Sequence, residues 1–267
     1  MTAAARGRRP AKPRASFVIP VAIVVFLVIT WASLSEEYGI GLDLGALADS
    51  ITRGAGILGE LANPNWSFVE DTVPFMLETF QMAVVAAVIG CGVALPVAFL
   101  ASRVTTPNRP TFFIGRSILS VIRAIPDILY ALIFVASTGI GTLAGIAALV
   151  FFNIGVVAKL VSETVDAIDP GPMEAAHAGG ANRTQTVRWS VLPQVLPNYV
   201  AYSLYTFELN IRASTVIGIV GAGGIGNLLF RQYGFFNWSN VSVIIIELFV
   251  MVIVIEFISI SLRRRLV

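Results

Sequence analysis

The sequence predicts an all-α polytopic membrane protein with about six transmembrane helices and both termini in the cytoplasm. Two observations give the class and a third gives the orientation. The 267 residues are 56% hydrophobic and 13% charged, whereas a soluble domain of this length carries about a quarter charged residues. The apolar residues gather in runs long enough to cross a bilayer. The Lys and Arg residues collect on one side of those runs. A net charge of +2 gives no support to a nucleic-acid role. One cysteine, Cys91, allows no disulfide within the chain, and one histidine, His177, allows no Cys/His metal cluster.

A basic tail, residues 1–16, carries Arg6, Arg8, Arg9, Lys12 and Arg14. The apolar run 17–34 that follows is too long for a signal-peptide core and lacks a good cleavage site, so it reads as a retained first span. Residues 35–71 are then outside. Leu42, Leu44, Leu47, Ile51, Leu58 and Leu61 recur there at helical spacing among acidic residues, which predicts an amphipathic outer helix. Asn63-Pro64-Asn65 ends it. The remaining spans are expected at 72–101, 124–138, 142–160, 197–220 and 241–262. The third is short and is expected to begin earlier, within 112–122. With the amino end inside, the cytoplasmic segments also collect Arg103, Arg109, Arg116, Arg123, Lys159, Arg183, Arg188 and Arg263-Arg264-Arg265. The outside keeps only Arg53 and Arg231.

Between the fourth and fifth spans lies a polar interruption. Asp169-Pro170-Gly171-Pro172 breaks the preceding helix, and a new helix is expected near Met173, with Glu174 at its positive end. Ala175, Ala176, Ala178 and Ala181 favour helix, and Gly179-Gly180 permits a tight turn. A second short helix, 184–192, is expected to stop at Pro193. Such a hairpin either packs on its own neighbours or receives another protein.

Glu174-Ala175-Ala176, Gly180 and Leu192-Pro193, at this spacing and location, resemble the EAA loop of ABC-importer permease subunits. The resemblance covers roughly two-thirds or more of the chain and implies a type I ABC-importer permease fold over residues 72–267. Residues 17–71 then form the first helix plus the outer segment. The loop at 162–195 would couple to an ATPase through Glu174, Ala175, Ala176, Gly180, Leu192 and Pro193. One departure stands out: Ser190 replaces an aliphatic residue, which is expected to weaken a packing contact. Arg123-Ala124-Ile125-Pro126-Asp127 and Phe207-Glu208-Leu209-Asn210-Ile211-Arg212-Ala213-Ser214-Thr215 are further similar to the phosphonate importer permease.

The resemblance implies partners and a place. They are a second copy of the chain, a cytoplasmic ABC ATPase dimer, an extracytoplasmic substrate-binding protein and the lipid of a bacterial inner membrane. No Gly-x-x-x-x-Gly-Lys-Ser/Thr run exists. The chain itself is therefore expected to bind no cofactor and to be no enzyme, with ATP and Mg on the partner ATPase.

Glu208 and Arg212 are four apart on the fifth span and share a helical face. Charges at membrane depth either neutralise each other and lock the bundle or face a polar path. In the second case Arg212, with Asn210, Ser214 and Thr215, lines an oxyanion pathway. The run Gly221-Ala222-Gly223-Gly224-Ile225-Gly226 fits Gly-x-Gly-x-x-Gly but follows a membrane span, which excludes a dinucleotide site. Gly221, Gly223, Gly224 and Gly226 mark either a structural bend or an outer gate. Glu78, Glu247 and Glu256 are proton-relay carboxylates or interhelical hydrogen-bonding groups. Asp127 either caps the third helix or meets the cytoplasmic arginines.

The function expected is inward movement of phosphonate or a related phosphorus oxyanion by alternating access. An ion-coupled secondary transporter, and an ABC permease for another small solute such as an amino acid, are the alternatives. An intramembrane enzyme lacks a nucleophile–base pair.

Overall fold

The computed structural model describes residues 17–35 and 44–264, and every regular element among them is helical. The basic tail 1–16, together with Glu36, Glu37, Leu42, Asp43 and Arg265, lies outside the described residues. After Ile57 the chain divides into two compact units.

The first unit holds α1 (Val18–Leu34) and most of α2 (Leu44–Leu61). α1 contains no charged residue and is apolar all round, with Ile23, Phe26 and Trp31 all exposed. A helix of that kind suits lipid on every side. Its 17 residues reach about 26 Å, slightly less than a bilayer core of about 30 Å. α2 forms where the amphipathic outer helix was expected.

In the second unit three helices are long and apolar enough to cross a membrane singly: α3 (Val69–Leu100), α6 (Thr142–Asp166) and α11 (Trp238–Arg263). Two bent pairs qualify as broken spans. The first joins α4 (Arg109–Ala124) to α5 (Asp127–Thr138) through a turn of 87°. The cause is local. Pro126 disfavours helix at the residue before it, and Ile125 is extended, with ψ 122°. The third span is therefore a break between two helices, and not one helix lengthened upstream as expected. Asp127 opens α5, and its Oδ1 accepts from the Ile128 N–H at 2.9 Å.

The second bent pair corrects two further expectations. α7 (Gly171–Ala178) and α8 (Arg183–Thr186) form the hairpin. The chain then passes through a π-helical turn, Val187–Val191, straight into α9 (Leu192–Ile219). Pro193 does not stop a helix; it sits in the first turn of α9. The π turn just before it widens the coil where the proline ring would meet the carbonyl four residues back. Beyond α9 the glycine run turns the chain by 42° into α10 (Gly224–Gly234), a helix not foreseen in the sequence.

Helix α3 packs along both α6 and α9. The contact surfaces are small: Ala83, Ala86, Ala94 and Ala98 on α3 and Ala144, Ala148 and Ala158 on α6 are all buried. With apolar lipid outside, helices gain by close backbone approach. At Gly145 the approach leaves no room at all, since an added Cβ would lie 2.4 Å from the Ala222 carbonyl oxygen and 2.3 Å from Met82 Cε. Two buried amides fasten the same helix. Asn153 of α6 donates to the Ala86 carbonyl at 2.9 Å, and Asn210 of α9 donates to the Ala83 carbonyl at 3.2 Å.

Gly145→Val is expected to cost at least the roughly 1–3 kcal/mol of an overpacked core. Gly92→Ala, where nothing lies within 4 Å of the added Cβ, should cost nothing and gain up to about 1 kcal/mol of helix propensity. Thermal unfolding midpoints of the two variants in detergent check this; equal midpoints would contradict the close approach.

Candidate functional site

Three sets of residues carry the candidate functions, beginning with the hairpin. α7 ends in a Schellman cap. The Ala181 N–H donates to the Ala176 carbonyl and the Gly180 N–H to the His177 carbonyl, each at 3.0 Å. Gly180 supplies the left-handed residue, φ +80°, that this cap needs. Asn182 and Gln185 then form a capping box that starts α8. Glu174, Ala175, Ala178, Gly179 and Gly180 are exposed, Ala176 and Leu192 half-buried and Pro193 exposed. Trp189, which no sequence motif marks, is 70% exposed, with the Arg188 guanidinium 5.2 Å from its ring.

The hairpin is tied down firmly behind that surface. Met173 packs on the core cluster of Val165, Val191 and Val195, which joins α6 to α9. The Ser190 hydroxyl is buried and donates to the Pro172 carbonyl at 2.9 Å. The departure at Ser190 therefore replaces an apolar contact with a hydrogen bond and does not loosen the hairpin. Gln194 accepts from the Asp169 N–H at 3.1 Å and donates to the Ser190 carbonyl at 2.8 Å. Arg183 donates to the Thr105 carbonyl at the α3–α4 corner. At that corner Asp166, the last residue of α6, accepts from the Ser102 hydroxyl and the Arg103 N–H, both at 2.7 Å, and pairs with Arg116 at 3.1 Å. The sequence offered no local signal for Asp166, because its partners are at least fifty residues away.

The second set is a chain of four charges. Glu208, its side chain only 7% exposed, accepts from Arg212 at 2.8 Å and from Arg263 of α11 at 3.1 Å. Arg212 reaches on to Glu256 of α11 at 3.2 Å. The expected Glu208–Arg212 pair is present, and Glu256 and Arg263 extend it between helices. Arg212 remains 47% exposed despite holding two carboxylates.

Asn210 and Ser214 are not beside Arg212. Both are fully buried, Asn210 against α3 and Ser214 donating to the Ile211 carbonyl at 2.8 Å. Steps of two residues turn a helix by about 200°, so 210 and 214 face away from 208 and 212. Thr215 donates to the same Ile211 carbonyl at 3.3 Å. Among the described residues the Asn210 Oδ1 has no hydrogen-bond partner, nor has the buried Oε2 of Glu247. Glu78 accepts a hydrogen bond from Thr142 of α6.

The third set is the glycine run. Gly221, Gly223 and Gly224 have φ of +90°, +83° and +69°, which side-chain-bearing residues rarely adopt. An added Cβ at Gly226 would lie 2.0 Å from the Thr215 carbonyl oxygen, and one at Gly223 would lie 2.9 Å from Glu78 Oε1. Thr79 of α3 accepts from the Ile225 N–H at 2.8 Å. The run is thus a packed corner pressed between α3, α9 and the start of α6.

The site thus consists of an exposed hairpin fastened to an apolar helix bundle that holds a four-charge network and a tightly packed glycine corner. The chain belongs to the family of binding-protein-dependent transport system inner membrane components, whose model matches residues 92–267. It is a permease subunit of an ABC importer, and the ATP-hydrolysing site of such an importer lies on a separate subunit.

The phosphate-import permease protein PhnE of Mycolicibacterium smegmatis is 40% identical over 223 residues, 83% of this chain and 42% of that protein. The chain therefore spans less than half the length of that relative. The phosphite transport system permease protein PtxC of Stutzerimonas stutzeri is 34% identical over 224 residues, 84% of this chain and 82% of PtxC. Among solved structures, the inward-facing MetNI methionine ABC transporter matches with a TM-score of 0.67 and 26% identity over 73% of this chain and 96% of that chain. The expected type I permease fold is the one observed.

Glu208→Ala is expected to cost about 3 kcal/mol, because it leaves Arg263 without its carboxylate. Glu256→Ala removes a half-exposed partner and should cost under about 1 kcal/mol. If unfolding midpoints fall equally for both, Glu208 is not the centre of the network.

Proposed function

We propose that this chain forms the translocation path for a phosphonate or related phosphorus oxyanion, moved inward by alternating access. The observation that carries the reading is Arg212: a guanidinium half open to its surroundings in an apolar helix, shared between two carboxylates. A phosphorus oxyanion is tetrahedral, but two of its oxygens can accept side by side from a guanidinium as those of a carboxylate do, so it can replace one of the two partners. Because Arg212 begins paired, exchange returns part of the binding energy to Glu208 or Glu256, and cargo is not trapped. The names of the phosphate and phosphite permeases among the relatives support the same cargo class.

In this reading the hairpin end faces the cytoplasm, and both termini lie there too. A cytoplasmic ATPase pair binds ATP and Mg and pushes on Glu174, Ala175, Ala176 and Gly180, with Trp189 as a further anchor. Exposed aromatic side chains commonly dominate such contacts. Leu192 and Pro193 pass the movement into α9. Residues 162–195 are the coupling loop, joined to the permease core 72–267, while residues 17–71 add the first helix and outer segment. A substrate-binding protein delivers cargo at the opposite face. A second copy of the chain, related by a two-fold axis, closes the path, and the glycine corner forms its outer gate.

The reconstituted importer tests both ends. With permease, ATPase and binding protein in vesicles, Arg212→Ala should lower phosphonate uptake by roughly tenfold or more while the complex still assembles. Normal uptake by that variant removes Arg212 from the path. Gly180→Val cannot form the left-handed cap, so ATP hydrolysis should continue without uptake. Trp189→Ala should weaken capture of the ATPase subunit by about thirtyfold. Full coupling in Gly180→Val together with normal capture in Trp189→Ala would defeat the docking assignment.

A further inference from the structure

We propose that the cavity at the α3–α4 corner binds the headgroup of an anionic phospholipid. The cavity measures about 570 Å³ and is lined by Arg103, Thr106, Asn108, Arg109, Phe112 and Phe113. It lies at the hairpin end of the bundle, where Arg183 bonds to the Thr105 carbonyl. Arg103 and Arg109 line it, and Arg116 lies behind its Phe112 wall. Arg116 is neutralised by Asp166. Arg103 and Arg109 have no carboxylate partner among the described residues. Arg103 and Arg116 both stack on the Phe112 ring, at 5.6 and 5.1 Å. Two unneutralised guanidiniums beside an aromatic floor suit a phosphodiester next to acyl chain.

The corner is already shaped for a ligand. Asp166 holds the Arg103 N–H and the Ser102 hydroxyl, and the Thr105 and Thr106 hydroxyls bond to the Phe99 and Leu100 carbonyls at 2.6 and 2.8 Å. Little ordering remains to be done on binding. The apolar half of the site is α4 itself. Phe113, Ile114, Ile118 and Val121 recur along one exposed face, with Phe113 64% exposed. α4 turns 87° away from α5, so the two cannot both follow the bilayer normal; α4 carries Arg109, Arg116 and Arg123 opposite that apolar face, and it is the helix placed along the surface. A basic amphipathic helix in that position buries its apolar face at the headgroup boundary. The charge of the cavity then selects acidic lipid from the same leaflet. A free anion would satisfy the arginines but leave the apolar face uncovered.

The proposal is independent of what the importer carries. It is tested on the full chain purified with its ATPase subunit from mixed phosphatidylglycerol and phosphatidylcholine, by counting retained lipids in native mass spectrometry. Phosphatidylglycerol should be retained in preference, and Arg103→Gln with Arg109→Gln should lower its retention by about fivefold for each charge removed. Arg264→Gln, an exposed arginine outside the cavity, should have no effect. Equal retention of the two lipids overturns the proposal, as does an equal loss with Arg264→Gln, which means diffuse attraction. Complete displacement by inorganic phosphate also overturns it and makes the cavity a free-anion site. Loss of the ATPase subunit instead of lipid from the double variant overturns it in favour of a protein contact.

Discussion

The close approach of α3 to α6 and α9 is the constraint on which the rest of the structure depends. α6 meets the glycine corner because Gly145 carries no side chain, and it meets α3 beside Gly90, where an added Cβ would lie 2.5 Å from Asn153 Cβ. Once the helices are this close, the Asn153 and Asn210 amides can reach carbonyls of α3 that already serve the helix. Buried polar groups in an apolar surround are costly unless partnered. The amides therefore fix the register of three helices at once. Thr79 and Glu78 then meet Ile225 and Thr142 at one end, and Ser102 meets Asp166 at the other.

The two functional ends share elements and have no loops between them. α6 runs from the glycine corner at Thr142 to the Asp166 junction, and α9 runs from the π turn to the same corner. The hairpin is fastened to the ends of both helices through Met173, Ser190 and Gln194. A load on α7 therefore reaches the four-charge network through packed helix, where interiors resist compression. The network adds the only charged link between α9 and α11 among the described residues. It sits on the helix that the hairpin would move.

Local patterns were legible in the sequence and long-range pairings were not. Apolar runs gave the spans, breaker clusters gave the start of α7, and the four-residue spacing gave the Glu208–Arg212 pair. The break at Pro126 is also legible, in the restriction a proline places on the residue before it. Pro193 misled because a proline normally ends a helix, and the π turn that accommodates it has no sequence signature. α10 opens on glycines and is only eleven residues long, so it read as loop. Asp166, Glu256 and Arg263 join their partners across 44 to 64 residues, beyond any periodicity. That Asn210 and Ser214 face away from Arg212 follows from spacing alone, since a two-residue step turns a helix by about 200°.

The helix from Arg183 to Ile219 turns no sharp corner until the glycine run. It is held at several points, by Val195 and Tyr199 nearer the hairpin and by Glu208 and Asn210 further on. A rod gripped along its length cannot pivot about one of those points. By rise per residue it measures about 54 Å, and displacement of its hairpin end would carry the whole length with it, more like a piston than a hinge.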